Sequence, residues 1–171
     1  MTKKILIGVL AVFIILQFFQ IDKSNPEYDA SQDLITIHNP PAEVAGILKS
    51  ACYDCHSYET AYPWYTNVQP LAWWIKDHID EGRDEMNFSE WGTYSPRRAD
   101  HKLEESVELV EEGEMPLESY TLAHGEAKLS EAQKKILTDW FKTQREVIYP
   151  DSLRSADSWS FKILIRGWIR V

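Results

Sequence analysis

The sequence predicts an all-α protein, a helical domain of about four helices preceded by an N-terminal transmembrane segment. Helix start and stop signals recur along the chain, apolar residues repeat at helical spacing, and the alternating pattern of strands is almost absent. A chain of 171 residues with 44% hydrophobic residues fits one compact domain plus appendages. We predict four parts: a membrane segment at 1–22, a tether at 23–38, the domain at 39–149, and an amphipathic tail at 150–171.

The amino terminus has the pattern of an export signal, because Lys3 and Lys4 precede an apolar run from Ile5 to Phe19, which Gln20 and Ile21 extend. Bulky residues end the run without a small-x-small cleavage site, so we expect an uncleaved anchor; a cleaved signal peptide is the alternative. The two lysines favour a cytoplasmic amino end. We therefore expect a single-pass protein of the cytoplasmic membrane, with everything after Asp22 in the periplasm.

The first two helices of the domain are predicted from proline starts. Asn39-Pro40-Pro41 begins a helix that leads directly into Cys52. Its predicted inner face consists of Val44, Ile47, Leu48 and Ala51. Pro70 begins the next helix, which is expected to stop at Gly82. Its predicted inner face consists of Leu71, Trp74, Ile75, His78 and Ile79.

The third and fourth helices have polar caps. Ser95-Pro96 starts the third, whose expected stop is Gly113. Ser130 and Gln133 form a capping box that starts the fourth. The predicted inner residues are Ala99, Leu103 and Val110 in the third helix, and Ile136, Leu137, Trp140, Phe141, Val147 and Ile148 in the fourth. In the tail, aromatic and aliphatic residues interleave with Lys and Arg, a pattern that suits the membrane surface.

The only two cysteines lie in the segment Cys52-Tyr53-Asp54-Cys55-His56. In a C-x-x-C-H segment, two thiols can attach haem through its vinyl groups while the histidine becomes the proximal iron ligand. A zinc site would need further ligands, usually a second cysteine pair, and a thioredoxin-like site would need a βαβ context. The motif therefore predicts one covalently attached haem c.

Further residues follow the motif in a characteristic order. They are Ser57, Thr60, Tyr62-Pro63-Trp64-Tyr65, Trp73-Trp74, Gly82-Arg83, Asn87-Phe88-Ser89, Trp91, Gly113 and Met115-Pro116-Leu117. From about residue 39 to residue 141, this pattern resembles a family of small bacterial haem-binding domains related to cytochrome c. The resemblance implies a cytochrome-c-like fold, covalent haem and electron transfer.

The sixth iron ligand is predicted to be Met115, because in cytochrome-c-like folds this ligand comes from a loop before the last helix. A methionine ligand raises the haem potential relative to two histidines. The alternative is that Met115 fills a gap in the core. His78 is the second candidate ligand, although a buried, hydrogen-bonded histidine is more common. Arg83 is expected to pair with a haem propionate, and Trp74 to line the haem together with Tyr62, Trp64, Trp73 and Trp91.

Electron transfer is the predicted function, with membrane-bound redox proteins as partners. The alternative is a haem peroxidase or a redox or gas sensor, which needs a displaceable distal ligand. A net charge of -9 argues against nucleic acid as a partner, because a phosphate backbone requires clustered Lys and Arg. The acidic residues between Glu104 and Glu114 are interpreted as a solvated helix face or, alternatively, as a docking surface.

Overall fold

A computed structural model describes residues 2–154, and helices are the regular secondary structure of this range. The α-helices are α1 (Thr2–Leu16), α2 (Leu34–His38), α3 (Ala42–Ala51), α4 (Tyr53–His56), α5 (Leu71–Glu85), α6 (Pro96–Glu112), α7 (Glu118–Ala123) and α8 (Glu131–Ile148). Short 3-10 helices cover Ala30–Gln32, Trp64–Asn67, Phe88–Thr93 and Gly125–Ala127. The predicted all-α fold class is confirmed, with more short helices than the sequence indicated.

The chain divides into two compact units. Within the described residues, the first consists of residues 2–39 and Cys52–Glu90, and the second of Pro40–Ala51 and residues 91–154. Helix α3 therefore belongs to the second unit, and the C-x-x-C-H segment that follows it belongs to the first.

The second unit is built on α3, α6 and α8, and α8 contacts both of the others. Its buried apolar residues include the predicted inner residues of α3 and α6, together with Leu137 and Phe141 of α8. The predicted helix boundaries are confirmed, because Ser95 caps α6, Gly113 ends it with a φ of 81°, and Ser130 forms the capping box of α8 with Gln133. Helices α3 and α8, the first and last helices of the predicted domain, contact each other.

An ionic cluster joins α6 to the end of α8. The Asp100 side chain is only 8% exposed, and its Oδ1 accepts hydrogen bonds from Arg145 Nε and Arg154 Nη1, each at 2.8 Å. Arg145 also binds Glu104, which is 47% exposed, at 2.8 Å. The buried carboxylate is therefore compensated by two guanidinium groups.

Helix α5 in the first unit differs from its prediction at its end and on its inner face. It continues past Gly82 to Glu85, and the residues it buries are Ala72 and Ile79. Leu71 and Trp74 of the predicted inner face are 40% and 46% exposed. The stop at Gly82 was wrong because this glycine provides a close contact to another segment instead of a helix cap.

Helix α1 carries the predicted apolar run and buries none of its residues. Between residues 2 and 154, no helix combines the length and apolar content needed to cross a bilayer, so the predicted transmembrane segment is not supported. A 15-residue helix rises about 22 Å, less than the roughly 30 Å of a hydrocarbon core. The predicted tether at 23–38 includes α2, where Leu34 is fully buried. Most of the tail at 150–171 lies outside the described residues.

We predict that Asp100→Ala lowers the free energy of unfolding by about 1–3 kcal/mol, because it removes the one buried carboxylate that Arg145 and Arg154 share, while their exposed partners remain. The matched control is Glu104→Ala, which removes an exposed partner of the same Arg145 and should cost at most about 1 kcal/mol. Urea unfolding followed by circular dichroism measures both. Equal losses for the two variants would show that Asp100 is not the buried centre of the cluster.

Candidate functional site

The C-x-x-C-H segment forms a tight turn where the chain re-enters the first unit at Cys52. Cys52 precedes α4, and its carbonyl oxygen accepts hydrogen bonds from the backbone N–H groups of Cys55 at 3.2 Å and His56 at 2.9 Å. The Cys52 carbonyl thus closes one helical turn around the two cysteines. The turn places both thiols and the imidazole on one short, internally bonded piece of backbone.

The His56 ring is held by two backbone carbonyls from the end of α5. Its Nδ1 lies 2.8 Å from Gly82 O and 3.0 Å from Met86 O. Carbonyl oxygens only accept, so Nδ1 carries the proton and donates it. In a neutral imidazole this tautomer leaves the lone pair on Nε2, the form in which histidine binds a metal. The carbonyls therefore act as the outer partners that orient a ligating histidine.

Gly82 brings α5 into backbone contact with the motif. A Cβ placed on Gly82 would lie 3.0 Å from Cys55 O and 3.3 Å from Cys55 Cβ. A side chain at this position would force α5 away from the turn. The carbonyl of Gly82 also accepts the hydrogen bond from His56. The missing side chain lets α5 approach the turn, and the carbonyl then binds the His56 ring.

Two stacked rings support the turn from inside the unit. Tyr53 and Phe88 are 2% and 1% exposed, with ring centroids 5.1 Å apart. The Tyr53 hydroxyl donates to Asp33 Oδ1 at 3.0 Å, and the centroid of the Phe88 ring lies 6.0 Å from that of the His56 ring. The variable position after Cys52 is thus a core residue that fixes the turn.

Arg83 holds the segment after the motif against α5. Its Nε donates to Ser57 O at 2.8 Å, and its Nη2 donates to Thr60 Oγ1 at 2.9 Å and to Asn25 Oδ1 at 3.1 Å. The guanidinium also lies over the Tyr58 ring, 5.2 Å from its centroid. Its pairing with a haem propionate stays a prediction, and the structure adds this second, positioning role.

The two thiols are not joined in a disulfide, and both cysteines are only partly exposed. Burial, with a smaller contribution from nearby Cys55, raises the pKa of the Cys52 thiol to about 12. Burial also raises the pKa of Cys55 to about 11, with Asp54 adding to the shift and Arg83 opposing it. Reactive cysteines of thiol–disulfide enzymes have lowered pKa values, so these thiols have the opposite character.

The remaining predicted ligands are divided between the two units. His78 and Trp74 lie on α5 in the first unit, where their ring centroids are 4.4 Å apart and His78 Nδ1 lies 2.9 Å from Trp74 O. His78 is partly exposed. Met115 lies in the second unit after α6, half-buried, and its N–H donates to Leu109 O at 3.0 Å. Its ligation of iron stays a prediction.

Sequence reasoning missed the carbonyls of Gly82 and Met86, because backbone acceptors leave no trace in residue type. A glycine inside a helical pattern was the available signal for a close approach. It also missed Gln69, which is fully buried and whose side-chain amide atoms have no hydrogen-bond partner among residues 2–154. Within the same range, the buried hydroxyl of Tyr62, which the sequence placed beside the haem, has no hydrogen-bond partner. Such groups suit contact with a polar group of a ligand.

We predict slow alkylation of these thiols in haem-free protein. A pKa raised to about 11 keeps the Cys55 thiol protonated at pH 8, so it should react about a hundredfold more slowly than an ordinary cysteine. Because the pKa is raised, the rate should grow with pH up to about pH 11. Iodoacetamide labelling followed by mass spectrometry measures this, with the urea-unfolded chain as control. Equal rates in the folded and unfolded chains at pH 8 would contradict the burial of the thiols.

We predict that Gly82→Ala destabilises the first unit and lowers haem incorporation. Alanine favours a helix by about 1 kcal/mol over glycine, but overpacking against Cys55 costs about 1–3 kcal/mol. Gly46→Ala in α3 is the matched control, because nothing lies within 4 Å of a Cβ there and the change should stabilise. Thermal unfolding and haem content measure the pair. Stabilisation by both changes, with normal haem content, would refute the close-contact role of Gly82.

Comparison with known protein families shows that the model of the haem-binding domain family matches residues 11–143. No curated protein and no solved structure matches the chain. The matched range is more than half of the 171 residues and includes the C-x-x-C-H turn, the whole of α5 and Met115. The hydrogen-bonded His56 ring and the two neighbouring thiols are consistent with this match. The chain belongs to the haem-binding domain family.

Proposed function

We propose that this protein is a c-type cytochrome that carries one covalently attached haem and transfers single electrons outside the cytoplasm. The observation that carries the proposal is the His56 imidazole, held through Nδ1 by Gly82 O and Met86 O inside a C-x-x-C-H turn. This arrangement leaves His56 Nε2 available to a metal, in the same turn as two thiols that are not joined to each other.

The residues of the turn fit a haem group. Cys52 and Cys55 would hold it by thioether bonds, and His56 Nε2 would be the proximal ligand. When bound, haem supplies an iron that alternates between the ferric and ferrous states and so takes up or releases one electron. The chain's own contribution is orientation, because α5 fixes the imidazole and Arg83 fixes the segment after it.

Met115 is the proposed sixth ligand, with His78 as the second candidate. Placement after α6 and before α8 gives Met115 the sequence position of a distal loop ligand, and its N–H bond to Leu109 O fixes the backbone there. His78 already uses Nδ1 near Trp74 O and packs against the Trp74 ring. A thioether ligand would suit an electron carrier, since it raises the potential relative to two histidines.

Attachment to a membrane through α1 is part of the same proposal. The large apolar side chains of α1 are exposed, with Leu6 at 71% and Ile5 at 63%, and Lys3 and Lys4 precede them. An apolar helix that buries none of its residues is stabilised by lipid contact. We propose that the haem-binding part lies on the periplasmic side, where membrane-bound redox proteins would be its partners.

We predict that haem remains with the denatured protein and depends on both cysteines. After coexpression with a haem-attachment system, acidified organic solvent should leave the pigment on the wild-type chain and extract it from Cys52→Ala/Cys55→Ala. The intact mass of the denatured wild-type chain should include one haem. The matched control is Ser50→Ala, which leaves both thiols in place and should keep its pigment. Extractable pigment from the wild type would exclude thioether attachment.

We predict that Met115→Ala keeps covalent haem, opens the iron to carbon monoxide and lowers the reduction potential. The thioether sulfur would be lost while Cys52 and Cys55 stay intact. His78→Ala is the comparison variant and should change the potential less. Absorption spectra of the reduced proteins with and without carbon monoxide measure the difference. A carbon monoxide complex in His78→Ala but not in Met115→Ala would assign the ligand to His78, and one in the wild type would favour a sensor or peroxidase.

A further inference from the structure

An exposed group of aromatic side chains lies where α1 meets the rest of the first unit. We call Phe18, Phe19, Trp64 and Trp73 the aromatic surface; they are 82%, 61%, 77% and 39% exposed. A direct hydrogen bond connects two of its members, since Trp73 Nε1 donates to Phe19 O at 2.9 Å. Large exposed aromatic groups of this kind mark interaction sites more often than ordinary surface.

The junction between α1 and the first unit is fixed by hydrogen bonds. The Gln17 side chain bonds the backbone of Gln69 in both directions, with Nε2 donating to Gln69 O and Oε1 accepting from Gln69 N, each at 3.0 Å. Gln20 Nε2 donates to Asn67 O at 3.3 Å, and Lys23 Nζ donates to Asn67 Oδ1. Asn67 Nδ2 in turn donates to Trp64 O at 2.8 Å. The apolar helix therefore leaves the unit from a fixed point beside the aromatic surface.

We propose that the aromatic surface lies in the headgroup region of a phospholipid bilayer and, with the Gln17–Gln69 pair, holds the first unit in one orientation on the membrane. This inference rests on the proposed membrane attachment through α1. Phe18 and Phe19 continue directly from that apolar helix, so the lipid that receives α1 also meets them. Tryptophan suits this depth, because its amphipathic ring is enriched at membrane–water interfaces.

The orientation sets how far the haem-binding turn lies from the membrane. Trp73 and Gly82 are both on α5, nine residues apart, which corresponds to about 14 Å along the helix at 1.5 Å per residue. Gly82 contacts Cys55 and His56. A surface fixed at Trp73 would therefore keep the redox site within reach of partners embedded in the same bilayer.

The test uses the full haem-loaded chain and vesicles of phosphatidylcholine and phosphatidylglycerol. Trp64 is replaced by the photoreactive residue p-benzoylphenylalanine, which labels only what it touches. The control position is Asp84, which is exposed and lies on α5 about 17 Å beyond Trp73. Sedimentation with vesicles reports attachment, and mass spectrometry of lipid adducts after illumination reports which surface faces the bilayer. A Gln17→Ala version of the Trp64 probe tests the junction.

The expected result is sedimentation of every variant, a lipid adduct at position 64, no adduct at position 84, and a weaker adduct at 64 when Gln17 is replaced. Three results with sedimenting protein would overturn the proposed orientation but leave the attachment intact. They are no lipid adduct at position 64, equal adducts at positions 64 and 84, and a crosslink from position 64 to a second protein chain. Failure of the unmodified chain to sediment refutes the attachment itself and the inference with it.

Discussion

The backbone contact between Gly82 and the turn from Cys52 to His56 is the constraint on which the candidate site depends. A helix can approach the C-x-x-C-H turn this closely only where it has no side chain, and the Gly82 carbonyl accepts a hydrogen bond from His56 Nδ1–H. The contact determines the ring's position and its tautomer together. Arg83 is the next residue along α5, and it fastens the segment after the turn to the same helix. One turn of α5 therefore fixes the position of the C-x-x-C-H segment through contacts of the chain itself.

The supports around this contact make the histidine a fixed ligand. Tyr53 and Phe88 fill the space beneath the turn, and buried Asp33 accepts the Tyr53 hydroxyl. Each of these supports belongs to the first unit. A histidine held in this way loses little freedom on binding iron, which favours both attachment and a stable potential.

The sequence was informative where structure is determined locally and less so where it depends on distant partners. Both ends of α6 and the start of α8 were predicted correctly, because Ser95, Gly113 and the Ser130–Gln133 box act within a few residues of each cap. The end of α5 was predicted wrongly, because the glycine at position 82 is required by its close contact with Cys55, 27 residues earlier in the chain. The prediction of the inner face of α5 was wrong for the same reason. Helical periodicity identifies an apolar stripe, but the packing partner decides which residues of the stripe become buried. The C-x-x-C-H motif was visible because its chemistry is contained in five residues.

The fixed junction at Gln17 and the fixed turn at Gly82 lie near opposite ends of α5, so this helix links the proposed membrane surface to the proposed redox centre. The most direct test of the central claim is the absorption spectrum of the purified protein in alkaline pyridine after reduction. This spectrum distinguishes haem with two thioether bonds from haem with intact vinyl groups. The account predicts the spectrum of haem bound through two thioethers, at one haem per chain. The spectrum of haem with both vinyl groups intact would contradict it.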